Sequence, residues 1–368
     1  MQINPFKLER YFARYEFSAR YLLCSSDCES LSVGDLLALE PGTEEAMRKH
    51  WLGYTESPGS PSLRKEISRI YTSIAPEHVL VFSGAQEGIF LFILAALKEG
   101  DHLIVHWPCY QSLFEVAKGI GVDVTLWEAR QENGWALDLD ELKKLVRPET
   151  RAVIVNTPHN PTGFLMPRAD FDALNRFTQE RGLLFFCDEV YRELEYDPAD
   201  RLPAGCDVNP GAVSLGVMSK TYGLAGLRIG WVATHRSDLL QRIASLKDYT
   251  TICNSGPSEF LSEIALRHRE QLAGRNLEII ANNLNLLDGF FSRHASRFEW
   301  VRPKAGSIAF PRLLDGDIVT FCDELVQESG VLLLPGTLYD HPGNHFRIGF
   351  ARRTMPDALA QLEKFLSG

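Results

Sequence analysis

Lys220 stands in the stretch VMSKTYGLAGLRIG, just past the apolar run Ala212–Val217. A lysine held at the end of a buried strand has a displaced pKa and can act as a nucleophilic amine, the kind that forms Schiff bases with carbonyl compounds. Taken alone it reads sooner as a solvated loop lysine. Asp188 closes a second apolar run, Leu183–Cys187. A carboxylate there is costly unless a cation or donor partners it. Backbone donors or an ordinary ion pair would serve, and so would a protonated pyridine nitrogen. Arg347, in HFRIGFA, needs an anion: a substrate carboxylate or a structural partner. SGAQEGIF, with Ser83, Ala85 and Gln86, is a small-residue turn opening a helix, whose free backbone N–H groups suit a phosphate or merely a cap. Arg228 could clamp the same phosphate in two-pronged fashion or sit in a surface ion pair. Tyr110 could stack on a flat ring or be an ordinary aromatic.

A nucleophilic lysine combined with an acid on a ring nitrogen is what pyridoxal phosphate (PLP) requires, because the protonated ring draws electrons from a carbanion at the substrate α-carbon. Competing readings lack their partners. LLFFCDE could be a Walker-B carboxylate pair, but no G-x-x-x-x-G-K-[ST] accompanies it, and the dinucleotide signature G-x-G-x-x-G is absent. Cys24 and Cys28 have no second pair at zinc spacing. His341 and His345 are separated by Pro342 and Gly343, which break any helix, so no metal site is expected. Gly223, Gly226 and Gly230 read as turn and packing residues.

The elements that must position these groups are legible as a recurring unit. Apolar runs occur at His78–Phe82, His102–His106, Val122–Trp127, Ala152–Val155, Leu183–Cys187, Ala212–Val217 and Ile229–Ala233. They alternate little with polar residues, as strands buried on both faces do. Helical patterns such as Gln86–Lys98 and Pro167–Arg181 lie between them, which argues an α/β fold: a mostly parallel seven-stranded sheet sandwiched by helices. In such sheets ligands bind outside the carboxyl ends of the strands. Ser83–Gln86, Tyr110, Asn156–Gly163, Asp188–Tyr191 and Ser219–Lys220 all sit at such ends, so one sheet would bring them to one edge. After about residue 235 the pattern changes to amphipathic helices (Ser237–Asp248, Ser258–Phe291), short apolar segments (Ser307–Leu313, Val331–Leu334) and a closing helix at Pro356–Leu366, a smaller α+β domain. The first 40 or so residues fit neither unit and are expected to cross over to the C-terminal part.

Composition narrows the function classes. The 368 residues are 45% hydrophobic and 23% charged, ordinary globular usage, and suggest two or three domains. Lys and Arg number 38 against 48 Asp and Glu, a net charge of −10, which does not favour nucleic acid or anionic membrane as a partner. No run of about 18 uncharged apolar residues occurs, so no membrane span is expected. MQINPFKLERYFARYEF has no apolar core for a secretory signal. Seven cysteines, several in apolar runs, suit buried thiols in a reducing cytoplasm.

NTPHNPTG at 156–163, DEVY at 188–191 and SKTYGLAGLRIGW at 219–231 occur in an order and spacing that resemble the class I/II aminotransferases, the aspartate-aminotransferase-like group of fold-type I PLP enzymes. The resemblance runs from about Tyr54 to the C-terminus. It implies that Lys220 is the Schiff-base lysine and proton carrier, and Asp188 the pyridinium partner. Asn160 and Tyr191 would bond the cofactor's 3′-oxygen, and Tyr110 would stack on its ring. Ser83, Ala85, Gln86, Ser219 and Arg228 would surround its phosphate, while Asn160 and Arg347 would meet the substrate, Arg347 gripping the α-carboxylate. Tyr54, in YTESPGSPSLR, would reach the phosphate of a neighbouring subunit, implying a homodimer with shared active sites. Gly34, in SVGD, resembles part of an N-terminal lid near the substrate. One departure stands out. The family's usual hydroxyl three residues before the lysine is Val217 here, which Ser83 or Ser219 would have to replace. Asp27 and Glu29 match no family pattern and read as solvated loop acids, or as a contact for a basic substrate.

The expectation is therefore a cytoplasmic PLP-dependent aminotransferase acting on an amino acid and a 2-oxo acid. Its layout would be an N-terminal arm at 1–42, a PLP-binding α/β domain at 43–255 and a small domain at 256–368. A PLP-dependent lyase, decarboxylase or cyclase uses the same electron sink and is the alternative. A PLP-binding DNA regulator would need an added domain, for which no room is expected before residue 54.

Overall fold

A computed structural model describes residues 1–367. Seven strands form the central sheet: β1 (Val79–Phe82), β2 (His102–Trp107), β3 (Asp123–Glu128), β4 (Thr150–Asn156), β5 (Leu184–Asp188), β6 (Ala212–Val217) and β7 (Gly230–Ala233). Their order is β1-β7-β6-β5-β4-β2-β3. Only β7 runs antiparallel to its neighbours, β1 and β6; the remaining pairs are parallel. The carboxyl ends of β1 through β6 therefore share one edge, and the amino end of β7, which follows Arg228, meets them there.

Side-chain alternation explains why the strands read as unbroken apolar runs. On β4, Ala152 and Ile154 pack into one core cluster while Val153 and Val155 pack into another on the opposite face. On β5, Phe186 belongs to the first and Phe185 and Cys187 to the second. Both faces are covered by helices, so neither alternate position needs to be polar. Helix Ala85–Ala96 buries Ile89, Phe92 and Ile93 on the first face, and helix Arg168–Glu180 buries Phe171 and Leu174 on the second. The edge strand β3 is the least buried.

The C-terminal unit departs from the expected segments in detail. Ser307–Leu313 contains two short strands, Ile308–Ala309 and Arg312–Leu313, and Val331–Leu334 also divides, into Val331–Leu332 and Leu334–Pro335. Ile308–Ala309 and Leu334–Pro335 flank Phe346–Gly349 in a three-stranded antiparallel sheet that carries Arg347. The helix expected over Ser258–Phe291 is two helices, Gly256–Arg267 and Arg269–Arg293, parted at His268. The break lets one stretch of chain serve two cores. Leu261, Ile264 and Ala265 pack with Leu63, Val79 and Val81 beside the central sheet, while Ile280, Leu284 and Phe290 pack with Phe346 and Leu362 of the C-terminal unit. Helix Gly256–Arg267 thus packs with the large sheet. In the N-terminal segment, Tyr21 and Leu22 pair in parallel with Val331 and Leu332.

Candidate active site

At the common edge of the strands lies a cavity of about 410 Å³. Asp188, the last residue of β5, borders it, as do Asn160 from the loop after β4 and Tyr110 from the loop after β2. Lys220 and Ser219 reach it just beyond β6, Ala85 and Gln86 from the first turn of the helix after β1, and Arg228 from the turn before β7. Tyr191 and, from the C-terminal sheet, Arg347 complete the group. Ten of the thirteen residues singled out in the sequence thus meet, though they come from positions 85 to 347.

Burial sets the electrostatics. It pushes the Asp188 carboxyl up to about 7, against the pull of the Val190 backbone N–H (3.2 Å) and of Lys220. The Lys220 amine is pushed below its ordinary range by burial, against the attraction of Asp27 and Asp188 and with the help of Arg347. Its Nζ donates to Ser26 Oγ at 2.8 Å. A buried acid that lacks a full counter-charge and a buried amine with a lowered pKa are the two perturbed groups that acid–base and nucleophilic chemistry call for.

Arg347 is 2% exposed and is fixed by its neighbours. Nε donates to the Cys24 carbonyl (3.0 Å), and Nη1 donates to the Tyr339 hydroxyl (2.6 Å) and to Asn160 Oδ1 (3.4 Å). Tyr339 donates in turn to Asn160 Oδ1 at 2.9 Å. Nη2 has no partner, and neither does the buried Tyr191 hydroxyl. Buried polar atoms are nearly always satisfied, so two orphans bordering one cavity mark where a ligand belongs.

The end of the cavity at Ala85 is built largely from backbone. Gly84 adopts φ +90°, and a Cβ there would lie 2.5 Å from Arg228 Nη2. Glycine alone lets the guanidinium close over the start of the helix, whose first N–H groups have no side-chain cap. A Cβ on Gly230 would lie 2.5 Å from the Ala85 backbone nitrogen, so this glycine lets β7 approach the same turn. Together the orphaned hydroxyl, the acid without a full counter-charge, the amine, the bordering Tyr110 ring and the cradle fit PLP.

Three expected residues lie elsewhere. Ser83 does not border the cavity; its backbone N–H donates to Glu87 Oε2 at 2.7 Å. Of the two hydroxyls expected to compensate for Val217, which does border it, only Ser219 is in place. Gly34 lies on the exposed side of the helix Val33–Leu37, and Tyr54, 84% exposed, does not border this cavity. Conversely, Asp27 is not a solvated loop acid. It borders the cavity and accepts from Arg352 Nη2 at 2.7 Å, because the pairing of the arm with Val331–Leu332 draws the following residues inward. Glu29 stays outside and accepts from the Arg353 backbone N–H. Glu9, Phe12 and Glu16 also border the cavity and were missed. Their i, i+3, i+7 spacing on helix Lys7–Tyr15 and just past it was the available signal.

The family model for aminotransferase class I and II matches residues 22–364. A PLP-dependent aminotransferase from Streptococcus suis 89-1591 has 32% sequence identity and a TM-score of 0.94, covering 100% of this chain and 98% of its own. The PLP-dependent cyclase OrfR has 29% identity and a TM-score of 0.92 over the same shares. Capreomycidine synthase of Streptomyces vinaceus is 29% identical over 349 residues, 94% of this chain and 88% of its own. Aspartate aminotransferase of Thermotoga maritima is 28% identical over 356 residues, 93% and 92%. Matched along nearly its whole length and sharing the fold, the chain belongs to the class I and II aminotransferases, which work with PLP.

Proposed function

We propose that this protein moves an amino group between an amino acid and a 2-oxo acid, with Lys220 as the amine that holds the cofactor and carries the proton. The observation behind this is the presence of two buried, unsatisfied donors, Arg347 Nη2 and the Tyr191 hydroxyl, in the cavity that also holds a pKa-lowered lysine. Asp188 would face the ring nitrogen, Tyr191 and Asn160 the 3′-oxygen, and Tyr110 the ring face. Arg228, Ser219 and the N–H groups of Ala85 and Gln86 would hold the phosphate. When bound, PLP supplies an electron sink for a bond broken at the substrate α-carbon. The protein does the rest. Arg347 binds the substrate carboxylate and so fixes which α-bond faces Lys220, and burial keeps a share of the Lys220 amine neutral and able to take the α-proton. Tyr54 would complete the phosphate site of a second subunit in a homodimer, and the cytoplasm is the proposed location.

Cyclisation is the second reading. It is supported by the likeness to the PLP-dependent cyclase OrfR and to capreomycidine synthase. Protein supplied with PLP should turn yellow, and borohydride should fix the cofactor to Lys220, located by peptide mass spectrometry. Adding an amino acid without any 2-oxo acid should then release about one equivalent of 2-oxo acid per site, the stoichiometry of a transfer half-reaction. Colourless protein or attachment elsewhere refutes the Lys220 assignment, and release of a cyclic product without oxo acid selects the second reading.

A further inference from the structure

The charges bordering the cavity do not cancel once each has its task. Under the function proposed above, Arg228 faces phosphate, Asp188 the ring nitrogen and Arg347 the substrate α-carboxylate, and Lys220 is joined to the cofactor. That leaves Glu9, Glu16 and Asp27, all on the side of the N-terminal arm. Asp27 is paired with Arg352. Glu9 Oε1 accepts from the Tyr110 hydroxyl at 3.2 Å, which supplies no charge. The Glu16 side chain has no hydrogen-bond or ion-pair partner among the described residues. Burial pushes its carboxyl up, as do the Asp27 and Glu9 carboxylates. Leu8 and Phe12 border the same cavity, and the Phe12 ring stands 5.8 Å from the Arg347 guanidinium carbon. The arm's side of the cavity thus presents an apolar pair, Leu8 and Phe12, together with an excess of carboxylate.

We propose that this site takes an amino acid whose side chain is an aliphatic stem ending in a cation, ammonium or guanidinium, with the stem against Leu8 and Phe12 and the tip among Glu16, Glu9 and Asp27. The inference rests on the aminotransferase-type reading of the cavity and names its substrate class. Among the described residues bordering the cavity no cation is left over for a side-chain carboxylate, so a dicarboxylic amino acid meets the Glu9 and Glu16 carboxylates instead of a partner. A partly desolvated carboxylate facing a cation is worth about tenfold or more in affinity over a neutral isostere.

The test uses the PLP-loaded protein and titrates the cofactor absorbance with L-arginine, L-lysine, L-citrulline, L-norleucine and L-aspartate. L-Arginine should bind about tenfold or more tightly than its neutral isostere L-citrulline, or L-lysine likewise than L-norleucine; which cation wins identifies the tip. L-Aspartate should be the weakest. Glu16→Gln removes one charge from a side chain that holds nothing in the fold, and should lower the cation-to-neutral ratio by about tenfold. Equilibrium dialysis of labelled L-arginine against cofactor-free protein, with and without Glu16→Gln, should show the same loss. If the loaded protein binds L-aspartate or L-norleucine as well as the cationic amino acids, or if Glu16→Gln leaves the ratio unchanged, the side-chain assignment is overturned while the cofactor reading stands. Failure to load PLP at all overturns both.

Discussion

Asp188 poses the sharpest question at the scale of the residue. Its carboxyl is pushed up from 3.8 to about 7 by burial. The folded, cofactor-free chain therefore holds a proton there that the unfolded chain has released. Between about pH 4 and pH 7 the native state binds more protons, so stability contributed by this group falls as pH rises through that window and stays lost above it. Asp188→Asn removes the ionisation and keeps an oxygen for the Val190 N–H. It should raise the melting temperature of cofactor-free protein at pH 8, by an amount equivalent to a few kcal/mol at most, and do so much less at pH 4. The same variant should lower kcat/KM by orders of magnitude in loaded enzyme, since an amide gives no anion to a cationic ring. Calorimetry at the two pH values is the check; equal shifts at both would contradict the assigned pKa. Asp188, Lys220 and Arg347 were readable in sequence because each is a polar group at the end or inside of an apolar run, and Asn160 through the motif NTPHNPTG. Glu9, Glu16 and Asp27 were not, because nothing about a charged residue in a polar segment says that the segment will be drawn over a cavity.

At the scale of the element, the cradle proposed to hold the phosphate depends on two chain segments approaching where only hydrogen fits. Alanine at position 84 would face φ +90°, a region L-residues rarely adopt, and a Cβ 2.5 Å from Arg228 Nη2. Arg228 is a flexible side chain and can swing away, so the fold should survive while the clamp is lost. Gly84→Ala is thus expected to weaken PLP binding by about tenfold or more, measured by fluorescence titration, with a melting temperature lowered by only a few degrees without cofactor. A variant that binds PLP normally would remove Arg228 from the phosphate site. The strands and helices around this cradle were visible as apolar runs and 3.6-residue patterns, with bounds within a residue or two. The break at His268 was not, because a single amphipathic pattern gives no hint that its two halves bury into different cores. The two-residue strands of the C-terminal unit were likewise too short for any periodicity to divide them.

For the whole molecule, the N-terminal arm shows the limit of reading locally. Its place is set by Tyr21 and Leu22 pairing with Val331 and Leu332, a contact no local pattern encodes, yet that contact delivers Ser26 to Lys220 and Asp27 to the cavity. A second feature of the same scale is the surface. Trp51 (78%), Leu52 (80%), Tyr54 (84%) and Tyr249 (91%) are exposed. Their segments lie together, since Thr55 Oγ1 donates to the Asn254 carbonyl and Ser57 Oγ to Asp248 Oδ1. Large apolar side chains gathered on a surface mark a contact with another molecule, and a two-fold partner presenting the same patch is the simplest closed arrangement. The protein is expected to sediment at twice its 41.4 kDa chain mass. Trp51→Asp with Leu52→Asp should shift it to monomer. If Tyr54 serves the partner's phosphate site, the monomer should also bind PLP several-fold more weakly, although every residue of its own cavity is unchanged. Sedimentation velocity and a PLP titration on the same sample separate the two effects. A monomeric variant with undiminished affinity would leave the dimer standing but confine each active site to one chain.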